Sequence, residues 1–167
     1  MWRTEDKEMT GRCAYLTVYK RHYIDEGVYT EWECLANQIH NLLTNAGKDY
    51  FHNQDYVNTG AGGVGVNFIA LTESTITPAV TDTTLTGEIT TNGLARAGGT
   101  PTHTAGTNTT TITKTFTATG SFTSVLASAT FNASSAGTMA HIANFSTGSG
   151  TMISGDQLAV TWTQTLS

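Results

Sequence analysis

The chain has 167 residues, of which 38% are hydrophobic and 13% charged, with a formal net charge of -5 and a pI near 5.4. That length suits one ordinary domain with room for a core, and an acidic balance without clustered Lys and Arg excludes the nucleic-acid backbone as a partner. No apolar run is long enough for a membrane span, and Met1-Trp2-Arg3-Thr4-Glu5-Asp6 lacks the apolar stretch of a secretory signal, so a soluble protein made in a cytoplasm is expected.

From Cys13 to Ile24 the residues alternate, with Tyr15, Thr17, Tyr19, Arg21 and Tyr23 on one face and Ala14, Leu16, Val18, Lys20 and His22 on the other. A period of two predicts a strand. Asp25-Glu26-Gly27 supplies turn residues and Val28 to Glu33 resumes β-branched and aromatic character, which together predict an N-terminal hairpin. The tyrosines make a partly exposed stripe that fits either packing on the protein's own body or an intersubunit contact. Cys13 and Cys34 are too few for a disulfide framework and are expected to be buried free thiols in a reducing compartment. Leu35, Ile39, Leu42, Leu43 and Ala46 then fall at helical spacing, with Asn37, Gln38 and Asn41 opposite, and predict one short α-helix. Gly47 is placed to stop it, and Lys48 to His52 to add a short second turn.

Composition changes near Asn58. All six tyrosines, both cysteines and fifteen of the 21 charged residues precede it, and a Thr-, Gly-, Ser- and Ala-rich sequence follows. This divides the chain into 1–57, a hairpin plus helix suited to attachment, and 58–167, a Thr/Gly-rich β-sandwich. In the second part, Val66 to Leu71, Thr111 to Thr119, Ser121 to Phe131, Thr138 to Phe145 and Leu158 to Thr163 read as short strands bounded by Gly120, Gly137 and Gly148. A disordered, glycosylated stalk has no reason to place Ile112, Phe116, Phe122, Leu126, Phe131, Ile142, Phe145, Leu158, Val160 and Trp162 at strand-compatible intervals, and the chain has only two prolines. The fold class expected is mainly β, an antiparallel β-sandwich of jelly-roll or immunoglobulin-like type. Edge strands in such a sheet invite pairing with another copy, so a homo-oligomer, with a trimer as the guess, is expected.

No pattern of catalytic chemistry stands out. Gly60-Ala61-Gly62-Gly63-Val64-Gly65 has the G-x-G-x-x-G spacing, but a strand-like run follows where a dinucleotide site needs a helix. His22, His40, His52, His103 and His141 form no ligand pattern, and Asp49 with His52 supplies only two groups. No G-x-S-x-G elbow marks a nucleophile. Glu73, Asp82, Glu88 and Asp156 give no specific acid pair; Asp82 suits a cap and Asp156 a turn. The acceptor triplets at Asn108, Asn132 and Asn144 are expected by chance in a chain so rich in Ser and Thr. Neither a catalytic set, a cofactor nor a metal is expected.

Several segments resemble a family of small structural proteins from tailed phages. They are Asn45-Ala46-Gly47-Lys48-Asp49, Tyr56-Val57-Asn58-Thr59, Asn67 to Thr72, Leu85 to Ala97, Thr113 to Ala118, Phe131-Asn132-Ala133 and Ser154 to Thr163. The resemblance covers roughly residues 42–167 and implies a component of the virion, made in the host cytoplasm, with no catalytic residues. A capsid decoration or cement protein bound to the major capsid protein is the favoured reading. A tail or head-to-tail connector protein comes next, and a receptor-binding fibre head third. Trp2, Tyr15, Tyr19, Tyr23, Tyr29 and Trp32 are the candidate interface anchors, and residues 1–33 are expected to be removable without unfolding the sandwich. Of a different class is a carbohydrate-binding module, for which the C-terminal sheet offers only Trp162 and phenylalanines that look like core.

Overall fold

The computed structural model describes residues 12–52 and 65–166. In chain order the elements are β1 (Arg12–Arg21), β2 (Tyr23–Asp25), β3 (Val28–Tyr29), β4 (Glu33–His40), β5 (Leu42–Leu43), α1 (Asn45–His52), β6 (Phe68–Thr72) and β7 (Ala97–Gly98). They continue with β8 (Thr100–His103), β9 (Thr109–Thr117), β10 (Ala127–Phe131), β11 (Met139–Asn144) and β12 (Gln157–Leu166). Two five-stranded sheets, ordered β4-β1-β12-β9-β8 and β5-β11-β10-β6-β7, form an antiparallel sandwich, and β2 and β3 make a separate two-stranded ribbon.

Alternation along the strands fixes which side chains meet in the middle. Leu16 lies opposite Trp162, which lies opposite Ile112; Val18 lies opposite Val160. These residues are buried and share one core with Ile69 and Leu71 of the facing sheet. Trp162 is at its centre, and its Nε1 donates to Ser128 Oγ on β10 at 3.2 Å, joining the two sheets. Burying an indole of that size contributes roughly 5 kcal/mol of transfer free energy. Between these positions fall Thr17, Thr161, Thr113 and Thr100 in one row, and Thr163, Thr111 and Thr102 in the next, all on the outer face. Threonine combines strong strand propensity with a hydroxyl that solvent accepts, and this accounts for its abundance in β9 and β12.

The second sheet is covered on both sides, and every residue of β10 is buried. Ala70, Ala129, Phe131 and Ile142 face a second cluster that includes Leu85, with Ile76 packed against it. Strands buried on both faces lose the alternation of a half-exposed strand and read as near-continuous apolar runs. The strand expected over Ser121 to Phe131 is confined to Ala127–Phe131, and Phe122, buried in the first core, joins Met152 through an isolated bridge.

Two expectations about the first third of the chain are corrected. Residues 33–40 are strand β4, not helix. β4 pairs β1 with register shifts, and Gln38 has a φ of 49°, so Leu35 and Ala36 are buried side by side in a pattern that mimics helical spacing. The helix is α1, and Gly47 lies inside it rather than ending it. Thr44 Oγ1 accepts from Gly47 N at 3.0 Å as the N-cap and donates to Met139 O at 2.6 Å, tying the cap to β11. Secondly, the compositional boundary near Asn58 is not a boundary of the fold. β1 sits between β4 and β12, and Ala14, Leu16 and Val18 share the core of Trp162, so the described part of residues 1–33, from Arg12 onward, is not a detachable arm. The turn at Asp25-Glu26-Gly27 does form, but it belongs to the β2–β3 ribbon between β1 and β4.

The cysteines are free, as expected, yet Cys34 is exposed and Cys13 half-buried. Cys34 is paired with Tyr19, six residues along β1 from Cys13. Six strand residues span about 20 Å, well beyond the reach of a disulfide.

A Cβ on Gly47 would lie 2.6 Å from Ala140 O and 2.7 Å from Ala140 Cα, backbone atoms that cannot move aside. Gly47→Ala gains about 1 kcal/mol of helix propensity but forces α1 off β11, so a net loss of about 2 kcal/mol is expected. Urea unfolding measures it; a midpoint at or above that of the wild type would refute the close seating.

Candidate functional site

The ribbon leaves the end of β1 and is closed by Glu26 and Gly27, whose φ values of 28° and 83° give the left-handed pair of a tight two-residue turn. A three-residue ribbon has little stability alone, so it is anchored at its base. The anchor is Asp156, fully buried just before β12. Its Oδ1 accepts from Tyr23 N at 2.8 Å, and its Oδ2 accepts from Ile153 N at 3.0 Å and lies 2.8 Å from His22 Nδ1. Burial by itself raises the carboxyl pKa. The N–H groups of Ile153 and Tyr23 and the His22 imidazole outweigh it, and the net displacement is downward.

Arg21 makes the second attachment. Its guanidinium sits 4.0 Å from the centre of the Tyr29 ring and 4.5 Å from that of Trp32, while Nε and Nη2 both donate to Gln157 Oε1. The Gln157 amide in turn donates to Tyr29 Oη at 3.2 Å. Tyr23 packs edge-on against Tyr29 and over Gly155, where a Cβ would strike the Tyr23 ring. Lys20, buried beneath, donates from Nζ to the carbonyls of Ser149 at 2.6 Å and Thr151 at 2.9 Å. Burial lowers its pKa, against the opposing pull of Asp156 and Glu33.

Three of the six anchors expected from sequence are thereby brought together, Tyr23, Tyr29 and Trp32, and Tyr19 lies two residues before Arg21 on the same face of β1. Tyr23 and Tyr29 turn towards the body, whereas Tyr19 and Trp32 remain exposed. Tyr15 lies elsewhere, packed edge-on against His40 at 5.5 Å, and Trp2 lies outside the described residues. Sequence reasoning missed Arg21, Gln157 and the role of Asp156. Asp156 was legible as a turn residue, but nothing in the sequence shows that the turn meets the ribbon. Ile24 and Val28, 61% and 55% exposed, were also missed, because alternation alone does not say which face meets water.

Several ionisable groups away from the ribbon are engaged locally. Glu73 Oε1 accepts from Thr123 N and Ser124 N, Glu88 is paired with Arg96, and Asp82 Oδ2 accepts from Ala79 N to close a turn. His103 Nδ1 meets Thr109 O, and His141 is buried with Nδ1 2.9 Å from Thr130 Oγ1. Among the described residues no three of His, Cys, Asp and Glu gather as metal ligands. Most of the G-x-G-x-x-G segment lies outside the described residues, and β6 comes after it. A hollow of about 190 Å³ at one end of the sandwich brings His141 near Gln164 and Thr110.

Fold and ribbon together define an antiparallel β-sandwich that presents an anchored aromatic projection at one end. Neither a protein-family model, nor a curated protein, nor a solved structure matches the chain.

Because its pKa is depressed in the folded state, Asp156 contributes stability that is complete above the ordinary carboxylate range and is lost as pH falls through the depressed value. Asp156→Asn is expected to cost about 3 kcal/mol at pH 7, with the gap to the wild type closing in strong acid. Unfolding curves at both pH values check this; an unchanged gap would show that the charge is not what the ribbon's anchor depends on.

Proposed function

We propose that the chain is a structural component of a tailed-phage particle, foremost a capsid decoration or cement protein that binds the lattice of the major capsid protein. The observation that carries the reading is the concentration of exposed apolar side chains on and beside one ribbon that is anchored to the sandwich. A protein whose work is adhesion needs contact groups already held in place, so that little ordering entropy opposes binding. The resemblance to phage structural proteins read in the sequence of residues 42–167 suggests the setting for this proposal. Many copies on a repeating lattice multiply a modest contact into lasting attachment.

A tail or head-to-tail connector protein is the alternative within the same class. Carbohydrate recognition is a second reading of another kind, favoured by the exposure of Tyr19 and Trp32 beside Arg21 and Gln157. These aromatics lie on the outer face of the first sheet, not in the core where Trp162 sits.

Gel quantification of the chain against the major shell protein in purified particles separates these readings. Hundreds of copies per particle are expected for decoration. About a dozen or fewer would move the protein to the connector or fibre, and its absence from particles would remove the proposal.

A further inference from the structure

Six large hydrophobic side chains are notably exposed among the described residues: Tyr19, Ile24, Val28, Trp32, Val80 and Ile153. All except Val80 belong to the ribbon or to segments attached to it. Ile24 and Val28 are in it, Trp32 lies just past it and stacks on Arg21, Tyr19 shares the outer face of β1 with Arg21, and Ile153 is bonded to the same Asp156 that holds Tyr23. Scattered exposed hydrophobics need no explanation, but a local concentration of them marks a surface made to be covered.

The charge around this surface is predominantly negative. Asp25, Glu26, Glu31 and Glu33 are all exposed, and no ion pair holds any of them among the described residues. Of the nearby basic groups, Lys20 is buried under the carbonyls of Ser149 and Thr151, Arg21 is half-buried against Tyr29, Trp32 and Gln157, and His22 is paired with Asp156.

We infer that this acidic, apolar ribbon docks onto a protein partner whose surface carries Lys or Arg around an apolar recess. The inference rests on the particle reading for where that partner is sought. A second copy of this chain meets the surface poorly. A two-fold contact near its axis brings the four carboxylates towards their own copies, and a contact elsewhere finds no basic patch among the cations whose side chains are described, since Arg96 is tied to Glu88 and Lys48 and Lys114 lie on separate elements, α1 and β9. Anionic lipid and nucleic acid are repelled. In the docked state Ile24, Val28 and Trp32 supply the affinity, and the carboxylates steer approach and fix register.

The test uses the full chain and, as probe, purified shells of the encoding phage prepared without this protein. Binding is followed by co-sedimentation across a salt series. Wild type is expected to bind, and Ile24→Ser with Val28→Ser to weaken binding about tenfold or more. Asp25→Lys with Glu31→Lys should weaken it comparably at low salt, with the deficit shrinking towards about 1 M salt. Carbodiimide should join ribbon carboxylates to lysines of the shell protein, located by mass spectrometry. All four substitutions are at exposed positions, and near-ultraviolet circular dichroism checks that each variant keeps the wild-type fold. Shell binding that both variants leave unchanged overturns the docking surface while leaving the particle reading in place; no shell binding by the wild type removes both. A wild-type dimer that Val28→Ser dissociates would give the surface to a second copy. Competition by host surface oligosaccharide, lost with Trp32→Ala alone, would give it to a glycan.

Discussion

The pairing of β1 with β12 is the constraint on which the other features depend. It runs through ten consecutive residue pairs, from Arg12 with Leu166 to Arg21 with Gln157. Through it, β12 becomes the middle strand of its sheet and carries Trp162 to the centre of the core. The same register sets the residues just after Arg21 beside those just before Gln157, and so His22 and Tyr23 meet Asp156. A slip of one residue would turn every side chain of β1 to the opposite face and separate the ribbon from its anchor.

Two buried charges secure that end of the sandwich. Lys20 and Asp156 each reach the segment from Ser149 to Asp156, the lysine through two carbonyls and the aspartate through Ile153 N. Burying charge is costly, and an apolar pair of similar volume stabilises as much or more in many folds. Directional bonds offer what an apolar pair does not, because each carbonyl and N–H can be met from only one direction. The arrangement accordingly sets where the ribbon points more than how stable the sandwich is.

Much of the architecture was legible because its signals are local. The alternation of β1, the Thr ladders of β9 and β12 and the turn at Glu26-Gly27 all come from residue spacing. β4 was not, since its bulges restore a spacing of three and four, and a helix and an irregular strand then share one pattern. The partnership of β1 was hidden for another reason: pairing is a property of two distant segments, and hairpin logic assigns a strand to its nearest neighbour. The aromatic half of the site could be read from composition. Its acidic anchor could not, because Asp156 lies more than a hundred residues away in sequence.

The order in which the strands are made adds a consequence for folding. Of the described strands β1 is made first and β12 last, so the first sheet lacks its middle member until the others have been translated. β4 can pair with β1 and β8 with β9 beforehand, leaving two incomplete halves, each with an unsatisfied edge and an apolar face open to water. Closure is thus a late, non-local event in which one strand joins both halves. During that wait the nascent chain is most exposed to misassociation, and the short β8, with Pro101 at its second position, is poorly suited to recruit a stray strand.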